Sequence, residues 1–312
     1  MCLFCARLHA PVMPRRVFLL AAASAAAPAL AQVDVGRASR MRTLVPAETL
    51  EQAGEQEYAK VIATARQQGK LLPDSHPQTQ RLHAIARRLI VHAQAWNPRA
   101  QNWRWAVHLI EGESVNAWCM PGGKIAFYTG LLNRLQLSDD ETAAVMGHEM
   151  AHALREHARA RRAKTLATEL GLQALSSVMG LVDLPQIGAQ LGTQLLSLKY
   201  SRSDETEADL VGLELAARAA YAPQASISLW QKMMSEGSRQ AGPGFLSSHP
   251  SDANRMRKLE QNAPKVQALY AQARRQLESG APGQPAPIFT PAPQTPQSPA
   301  PYSTPIGRPL GS

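Results

Sequence analysis

The residues with the clearest chemical potential are two histidines and a glutamate in the segment His148-Glu149-Met150-Ala151-His152. A helix turns about 100° per residue, so the two histidines project from one face and can bind one zinc ion. Glu149 lies beside the first histidine, where it can take a proton from a metal-bound water and later pass it to a leaving amine. This arrangement is typical of peptide hydrolysis.

The helix that must carry this segment has a clear start signal. Ser138 is followed three residues later by Glu141, the pattern of a capping box, so we expect the helix to begin there. Its flanking residues are mostly small and apolar, which predicts a buried helix. Buried histidines and carboxylates need partners, and a metal ion would satisfy them. The alternative is a chance occurrence of a short motif on an exposed helix.

A catalytic zinc site needs a third protein ligand, and Glu205 and Glu169 are the acidic candidates. Glu205 lies one helical turn before Asp209, so one carboxylate can bind the metal while the other orients a ligating histidine. Glu169 has no such companion. Glu207 lies about 200° from Glu205 around the helix, and we expect it to be solvated.

His157 is close in sequence but lies about 180° from His148 on a continuous helix. We therefore expect it to be a surface or capping histidine. The metzincin pattern would require glycine at 155 and histidine at 158, where this chain has Arg155 and Ala158, so that group is excluded.

Between residues 80 and 260 the chain resembles the HExxH zinc metallopeptidase family that includes the CAAX prenyl protease, HtpX and the mitochondrial Oma protease. It is most similar to the soluble periplasmic members of the beta-barrel assembly-enhancing type. The motifs that carry this resemblance are Asn116-Ala117 with Pro121-Gly122-Gly123, then His148 to His152, then Ser201-Arg202 with Glu205 to Asp209, and finally Ser248-His249-Pro250 with Arg255.

The resemblance implies a zinc-dependent endopeptidase with a mostly helical, gluzincin-like domain and one zinc ion per chain. Its metal ligands would match His148, His152 and Glu205. Its general base would match Glu149, and Asp209 would orient a ligand.

Alternating apolar residues between Trp103 and Tyr128 predict a small antiparallel sheet beside the zinc helix. The resemblance gives the motif residues there a substrate-binding role, because an extended peptide can bind as an added strand at a sheet edge. The residues concerned are Asn116, Ala117, Pro121, Gly122 and Gly123. The alternative for the Gly-Gly pair is a plain hairpin turn.

His249 stands before a proline in a glycine-containing loop that could act as a lid over the site. From there it could help to stabilise a developing oxyanion, as a catalytic residue. If it bound zinc instead, it would fill the open position and hold the enzyme latent. The alternative is a histidine that caps a helix starting at Ser251.

The rest of the folded region is predicted to be helical, so the fold class is α+β, mostly helical. The metallopeptidase domain is expected to span residues 47–280, after a linker at 32–46. The predicted helices begin with one from residue 47 and one at about 78–95, and continue at 139–163, 165–179, 187–199, 203–219, 224–236, 251–262 and 264–278.

The two ends of the chain have different compositions. Residues 1–31 show the basic, apolar and small-residue order of a secretory signal cleaved after Ala31, with an uncleaved membrane anchor as the alternative. The Sec and twin-arginine export routes both remain open. Residues 281–312 are rich in proline and carry Arg308 as their one charge, which predicts a disordered tail or a docking ligand for a partner.

Composition limits the remaining function classes. The 312 residues include 33 Lys and Arg, 24 Asp and Glu, and 3 Cys. No apolar run approaches the ~20 residues of a spanning helix, which excludes a polytopic membrane protein. Three cysteines, of which Cys119 alone would survive signal cleavage, exclude a disulfide framework. The mild basic excess lacks the dense stripe of a nucleic-acid binder and fits association with an anionic membrane surface better.

These observations predict an exported zinc metalloendopeptidase of the periplasm that hydrolyses misfolded or misassembled polypeptides of the cell envelope, including the outer membrane. One alternative is a zinc-stabilised chaperone or adaptor with little proteolysis, although Glu149 favours the enzyme. The other is a dedicated maturation protease recruited through the proline-rich tail. Deletion of residues 283–312 should abolish processing only under that last alternative.

Overall fold

The computed structural model describes residues 33–170, 195, 198–237, 244–250 and 252–280. The predicted signal peptide and the proline-rich tail lie outside these residues. So does most of the two helices predicted at 165–179 and 187–199.

The described chain is α+β and mostly helical, as predicted. Its helices are α1 Ala47–Gln67, α2 Pro77–Ile90, α3 Thr129–Arg134, α4 Asp139–Leu154, α5 His157–Leu170, α6 Arg202–Arg218, α7 Gln224–Gly237, α8 Phe245–Ser248, α9 Ala253–Asn262 and α10 Gln267–Glu278. The strands are β1 Ala106–Ile110, β2 Ala117–Met120 and β3 Lys124–Tyr128. Within the described ranges, no helix combines the length and hydropathy needed to cross a lipid bilayer.

The three strands form one sheet in the order β1-β3-β2. β2 pairs antiparallel with β3 through a tight turn, but β1 pairs parallel with β3. The prediction of an antiparallel sheet is therefore wrong for β1. Alternation of apolar residues reports which face of a strand is buried, and it does not specify the partner strand or its direction.

Residues 33–46 pack against the domain, in contrast to the predicted linker. Val33 and Val45 are buried, and the Val33 backbone N–H donates to the buried carboxylate of Glu214 over 2.5 Å. A single 3₁₀ turn at Arg40–Leu44 contacts α5. Burial of two valines and satisfaction of a buried carboxylate explain why this segment is part of the fold.

Helix α4 starts with the predicted capping box, in which the backbone N–H of Glu141 donates to the Ser138 hydroxyl and the Ser138 N–H donates to the Glu141 carboxylate. It ends earlier than predicted, because Glu156 adopts a left-handed backbone conformation with φ of 57°. Arg42 and Arg159 each pair with the Glu156 carboxylate at 2.8 Å. The predicted helix 139–163 is thus two helices, α4 and α5, which are separated by Arg155 and Glu156.

Helices α4 and α6 touch through their backbones at Gly147 and Gly212. A Cβ atom on Gly212 would lie 2.7 Å from the backbone nitrogen of His148, and one on Gly147 would lie 2.9 Å from the carbonyl oxygen of Gly212. Real Cβ atoms do not approach backbone this closely. The contact therefore requires glycine on both helices, and it sets the distance between the side chains that the helices carry.

We expect Gly212→Ala to lower the free energy of unfolding. Overpacking costs about 1–3 kcal/mol, which exceeds the gain of about 1 kcal/mol from replacing a helical glycine by alanine. Urea denaturation of the metal-free protein measures the change. Gly112→Ala is the control, because its Cβ would meet Tyr128 at an ordinary 3.6 Å. Equal stability of Gly212→Ala and the wild type would contradict the close packing.

Candidate metal centre

The structure brings His148, His152 and Glu205 together between α4 and α6. The Nε2 atoms of the two histidines are 3.2 Å apart, and each lies 3.5 Å from an oxygen of the Glu205 carboxylate. All three side chains are buried, and Glu205 is fully so. These are the residues for which the sequence predicts metal ligation. The side chain of Glu169, the other acidic candidate, lies outside the described residues.

The spacing of these atoms fits a tetrahedral zinc ion. Ligand atoms at about 2.0–2.1 Å from zinc in tetrahedral geometry are about 3.3 Å from one another. The observed separations of 3.2 and 3.5 Å fall close to that value. The chemistry of the donor set also fits, because imidazole nitrogens with a carboxylate are a common catalytic zinc set.

His249 supplies a fourth ligand atom to the same cluster. Its Nδ1 lies 3.3 Å from His148 Nε2 and 3.1 Å from Glu205 Oε1. Its ring stacks on Phe245 with centroids 4.4 Å apart. The structure does not support the helix-capping alternative, because the Asp252 side chain caps α9. His249 belongs to the site, and its position is that of a ligand.

Glu149 lies beside this cluster with its carboxylate buried. Its Oε1 is 3.4 Å from His249 Nε2 and has no hydrogen-bond partner in the described part of the chain. Burial raises the pKa of Glu149 above its ordinary value, against the opposing charges of His249 and His148. A carboxylate with a raised pKa that points into a site suits proton transfer near neutral pH.

Asp209 connects His148 to a buried arginine. The Nδ1 atom of His148 lies 3.0 Å from Asp209 Oδ1, and Trp230 Nε1 donates to the same oxygen over 3.1 Å. Arg255 donates to both oxygens of Asp209 over 2.7 and 2.8 Å, and its Nη1 also lies 2.9 Å from Glu205 Oε2. Arg255 is 1% exposed, so its charge compensates both buried carboxylates.

The carboxylates of Asp209 and Glu205 affect the pKa of His148, which lies between α4 and α6. Burial alone would lower the pKa of His148, but Asp209 and Glu205 raise it to about 9. Burial opposes ionisation of Glu205, but His148 and His249 hold its pKa below the ordinary value. The two carboxylates thus stabilise a cation in contact with His148.

Behind His152 the structure differs from the sequence prediction. His157 is buried rather than at the surface, and its Nδ1 lies 2.9 Å from His152 Nδ1. Glu207 is not a free solvated carboxylate, because Arg155 donates to it and His157 Nε2 lies 3.6 Å away. The left-handed Glu156 is the reason, since it turns α5 back towards the site instead of extending α4.

The predicted substrate-binding residues divide into two groups. Asn116, Ala117 and Pro121 line a cavity together with Glu149 and His249. The two glycines have φ of 84° and 76° and form the turn between β2 and β3, where Gly122 lies near Glu51 and a Cβ on Gly123 would meet the Trp105 indole at 2.6 Å. Their positions match the plain hairpin turn.

Sequence reasoning missed two aromatic residues of the site. Tyr200 stacks on the ring of His152 with centroids 3.9 Å apart, and burial raises its pKa above the ordinary value. Trp230 lies over the Arg255 guanidinium at 4.0 Å. Tyr200 directly precedes the predicted Ser201-Arg202 motif, which is a signal that could have found it. Trp230 lies in another helix and has no sequence signal of this kind.

Comparisons with known proteins agree with this geometry. The model of peptidase family M48 matches residues 76–263. The mitochondrial metalloendopeptidase OMA1 of Schizosaccharomyces pombe is 32% identical over 204 residues, 64% of this chain and 57% of the relative. The Arabidopsis thaliana protein of that name is 34% identical over 191 residues, 61% of this chain and 38% of the relative. The beta-barrel assembly-enhancing protease of Escherichia coli is 24% identical over 204 residues, 62% of this chain and 41% of the relative. The matched regions thus span between 38% and 57% of the length of these relatives.

We expect Asp209→Asn to weaken zinc binding by about 10- to 100-fold, the usual cost of losing a partner that orients a ligating histidine. The variant removes the charge that pairs with Arg255 and holds His148. Chelator competition measures the dissociation constant. Asp139→Asn is the control, because Asp139 is exposed and pairs with Arg81 at the start of α4. Unchanged zinc affinity in Asp209→Asn would contradict this role.

Proposed function

The chain belongs to peptidase family M48, and we propose that it is a zinc-dependent metalloendopeptidase whose site lies between α4 and α6. One observation carries this proposal above the others. The buried Nε2 atoms of His148 and His152 lie 3.2 Å apart and each is 3.5 Å from an oxygen of the Glu205 carboxylate, with the carboxylate of Glu149 beside them.

His148, His152 and Glu205 would hold the metal ion. Bound there, zinc would polarise the scissile carbonyl group and make water a stronger nucleophile at neutral pH. Zinc is proposed because two imidazoles and one carboxylate are a donor set that suits it.

Glu149 has the position and the environment of a general base. Burial raises its pKa and keeps its carboxylate dry, and its free oxygen faces the cluster. It would accept the proton of the attacking water and return that proton to the leaving amine. Asp209 would fix the orientation of His148 during these steps, because Arg255 and Trp230 fix Asp209.

An extended peptide is the substrate shape that the surroundings favour. β2 is an outer strand of the sheet and packs on α4, so its outer edge runs past the site. A peptide added there would gain affinity from backbone hydrogen bonds with little demand on sequence. Asn116, Ala117 and Pro121 line the cavity between this strand and Glu149. Unfolded polypeptides expose extended backbone of this kind.

We further propose that the clients are misfolded or misassembled envelope polypeptides, in an exported location. The signal-like composition of residues 1–31 supports export. The name of the Escherichia coli relative, a beta-barrel assembly-enhancing protease, supports an envelope client, whereas the other named relatives are mitochondrial. Association with an anionic membrane surface and a partner for the proline-rich tail remain parts of the same proposal.

We expect purified full-length protein to carry about one zinc ion per chain and to cleave unfolded casein. Glu149→Gln should retain the zinc but lose at least about 100-fold in cleavage rate, because the general base is removed. Glu57→Gln is the control, since Glu57 is a buried glutamate on α1 outside the cluster. Bound zinc and client binding without cleavage in the wild type would favour the chaperone or adaptor instead.

His249 provides a separate test of the open coordination position. Its Nδ1 lies among the ligand atoms, so we expect His249→Ala to raise casein cleavage by opening that position to substrate. The ratio of cleavage rates at equal zinc content measures the effect. Loss of activity would favour a role in transition-state stabilisation, and no change would contradict both roles.

A further inference from the structure

The two ligating histidines have different partners on their far sides. His148 Nδ1 faces the carboxylate of Asp209 at 3.0 Å, whereas His152 Nδ1 faces the imidazole of His157 at 2.9 Å. A metal-ligating histidine usually donates its second N–H to a carboxylate, a carbonyl group or water, and that bond fixes its tautomer and ring angle. An imidazole is a less common partner for a ligating histidine. The contact between the two rings determines which ring nitrogens carry protons.

The proton positions follow from the ring contacts. His152 presents Nε2 to the other ligand atoms, so in the metal-binding form its proton lies on Nδ1. Among the described residues, His157 Nδ1 lies 2.9 Å from that nitrogen and can accept the proton, in which case its own ring proton is on Nε2. The N–H on Nε2 of His157 then faces Glu207 Oε2 across 3.6 Å.

Glu207 is fixed from its other side. Arg155 donates to the Glu207 carboxylate through Nε and to the carbonyl oxygen of Gly36 through Nη2, the latter over 2.9 Å. His157 is 4% exposed, and its Nε2 makes no hydrogen bond within the described residues. The carboxylate of Glu207 is the acceptor that this buried N–H faces.

We propose that His157 is a positioning residue for the metal site, because its Nδ1 accepts the Nδ1–H of His152 and so fixes the angle of the His152 ring. The inference rests on the proposed function in one respect, that a metal ion is bound through His152. It adds a residue that acts through His152 rather than on substrate.

This arrangement gives the two imidazole ligands unequal surroundings. Asp209 places a carboxylate behind His148, whereas His157 places an imidazole behind His152. The metal site therefore gains orientation at both histidines, although a carboxylate contacts the ring of only one of them directly. His152 would be the weaker donor of the two, and its hold on the metal would depend more on correct ring angle.

Two variants of the full-length protein separate positioning from packing. His157→Leu removes the acceptor, and we expect the zinc dissociation constant to rise about 10- to 100-fold. His157→Asn keeps an oxygen acceptor near the position of Nδ1, and we expect affinity within a few-fold of the wild type. Chelator competition gives the affinities, and thermal unfolding of the zinc-free proteins reports any effect on the fold. His108→Leu is the control, because His108 is also buried and bonded through Nδ1, to Tyr58, but lies on β1.

A spectroscopic measurement tests the same bond without any substitution. In zinc-loaded protein with ¹⁵N-labelled histidine, the Nδ1 nuclei of His152 and His157 should show a coupling across the N–H···N hydrogen bond, which a packing contact would not produce. Absence of that coupling, wild-type affinity in His157→Leu, or equal losses in the leucine and asparagine variants would overturn the positioning role. A wild type that binds no zinc would instead contradict the proposed function, and this inference with it.

Discussion

The site depends on the contact between the backbones of α4 and α6 at Gly147 and Gly212. His148 and His152 are on one helix and Glu205 is on the other, so no single element can assemble the ligand set. Only when the two helices touch do the imidazole nitrogens come within 3.5 Å of the carboxylate. A Cβ atom at either glycine would separate the helices, and the separation would pass directly to the ligand distances.

The second constraint is the cost of burying charge. Glu205 and Asp209 are both buried, and each unpaired carboxylate would cost several kcal/mol. Arg255 compensates both of them, and it comes from α9 rather than from α4 or α6. Within the described region Oε1 of Glu149 receives no hydrogen bond, whereas Oε2 of Glu205 lies 2.9 Å from Arg255 Nη1. The Glu149 oxygen is therefore the one that can accept a proton in the site.

Much of the centre could be predicted from local sequence, because its residues are spaced by about one helical turn. His148 and His152 share a face of α4, and the capping pair Ser138 and Glu141 marks the start of that helix. Glu205 and Asp209 are one turn apart on α6. His157 could not be placed in this way, because periodicity assumes a continuous helix and Glu156 breaks it.

The remaining errors have related causes. The parallel pairing of β1 and the contacts of residues 33–46 depend on parts of the chain that are distant in sequence. The Gly122-Gly123 pair carries a turn signal and a family signal at once; its positive φ angles match the turn, and its substrate-binding role stays a prediction. Local patterns thus predicted which side chains meet between α4 and α6, whereas the tertiary structure determined which other side chains surround them.

Zinc K-edge X-ray absorption of the purified protein tests the central claim most directly, because it reports the atoms bound to the metal. We expect about four nitrogen or oxygen neighbours at about 2.0–2.1 Å, with the scattering pattern of imidazole and no sulfur. A sulfur neighbour at about 2.3 Å would show ligation by cysteine, and its presence would contradict a site built from His148, His152 and Glu205.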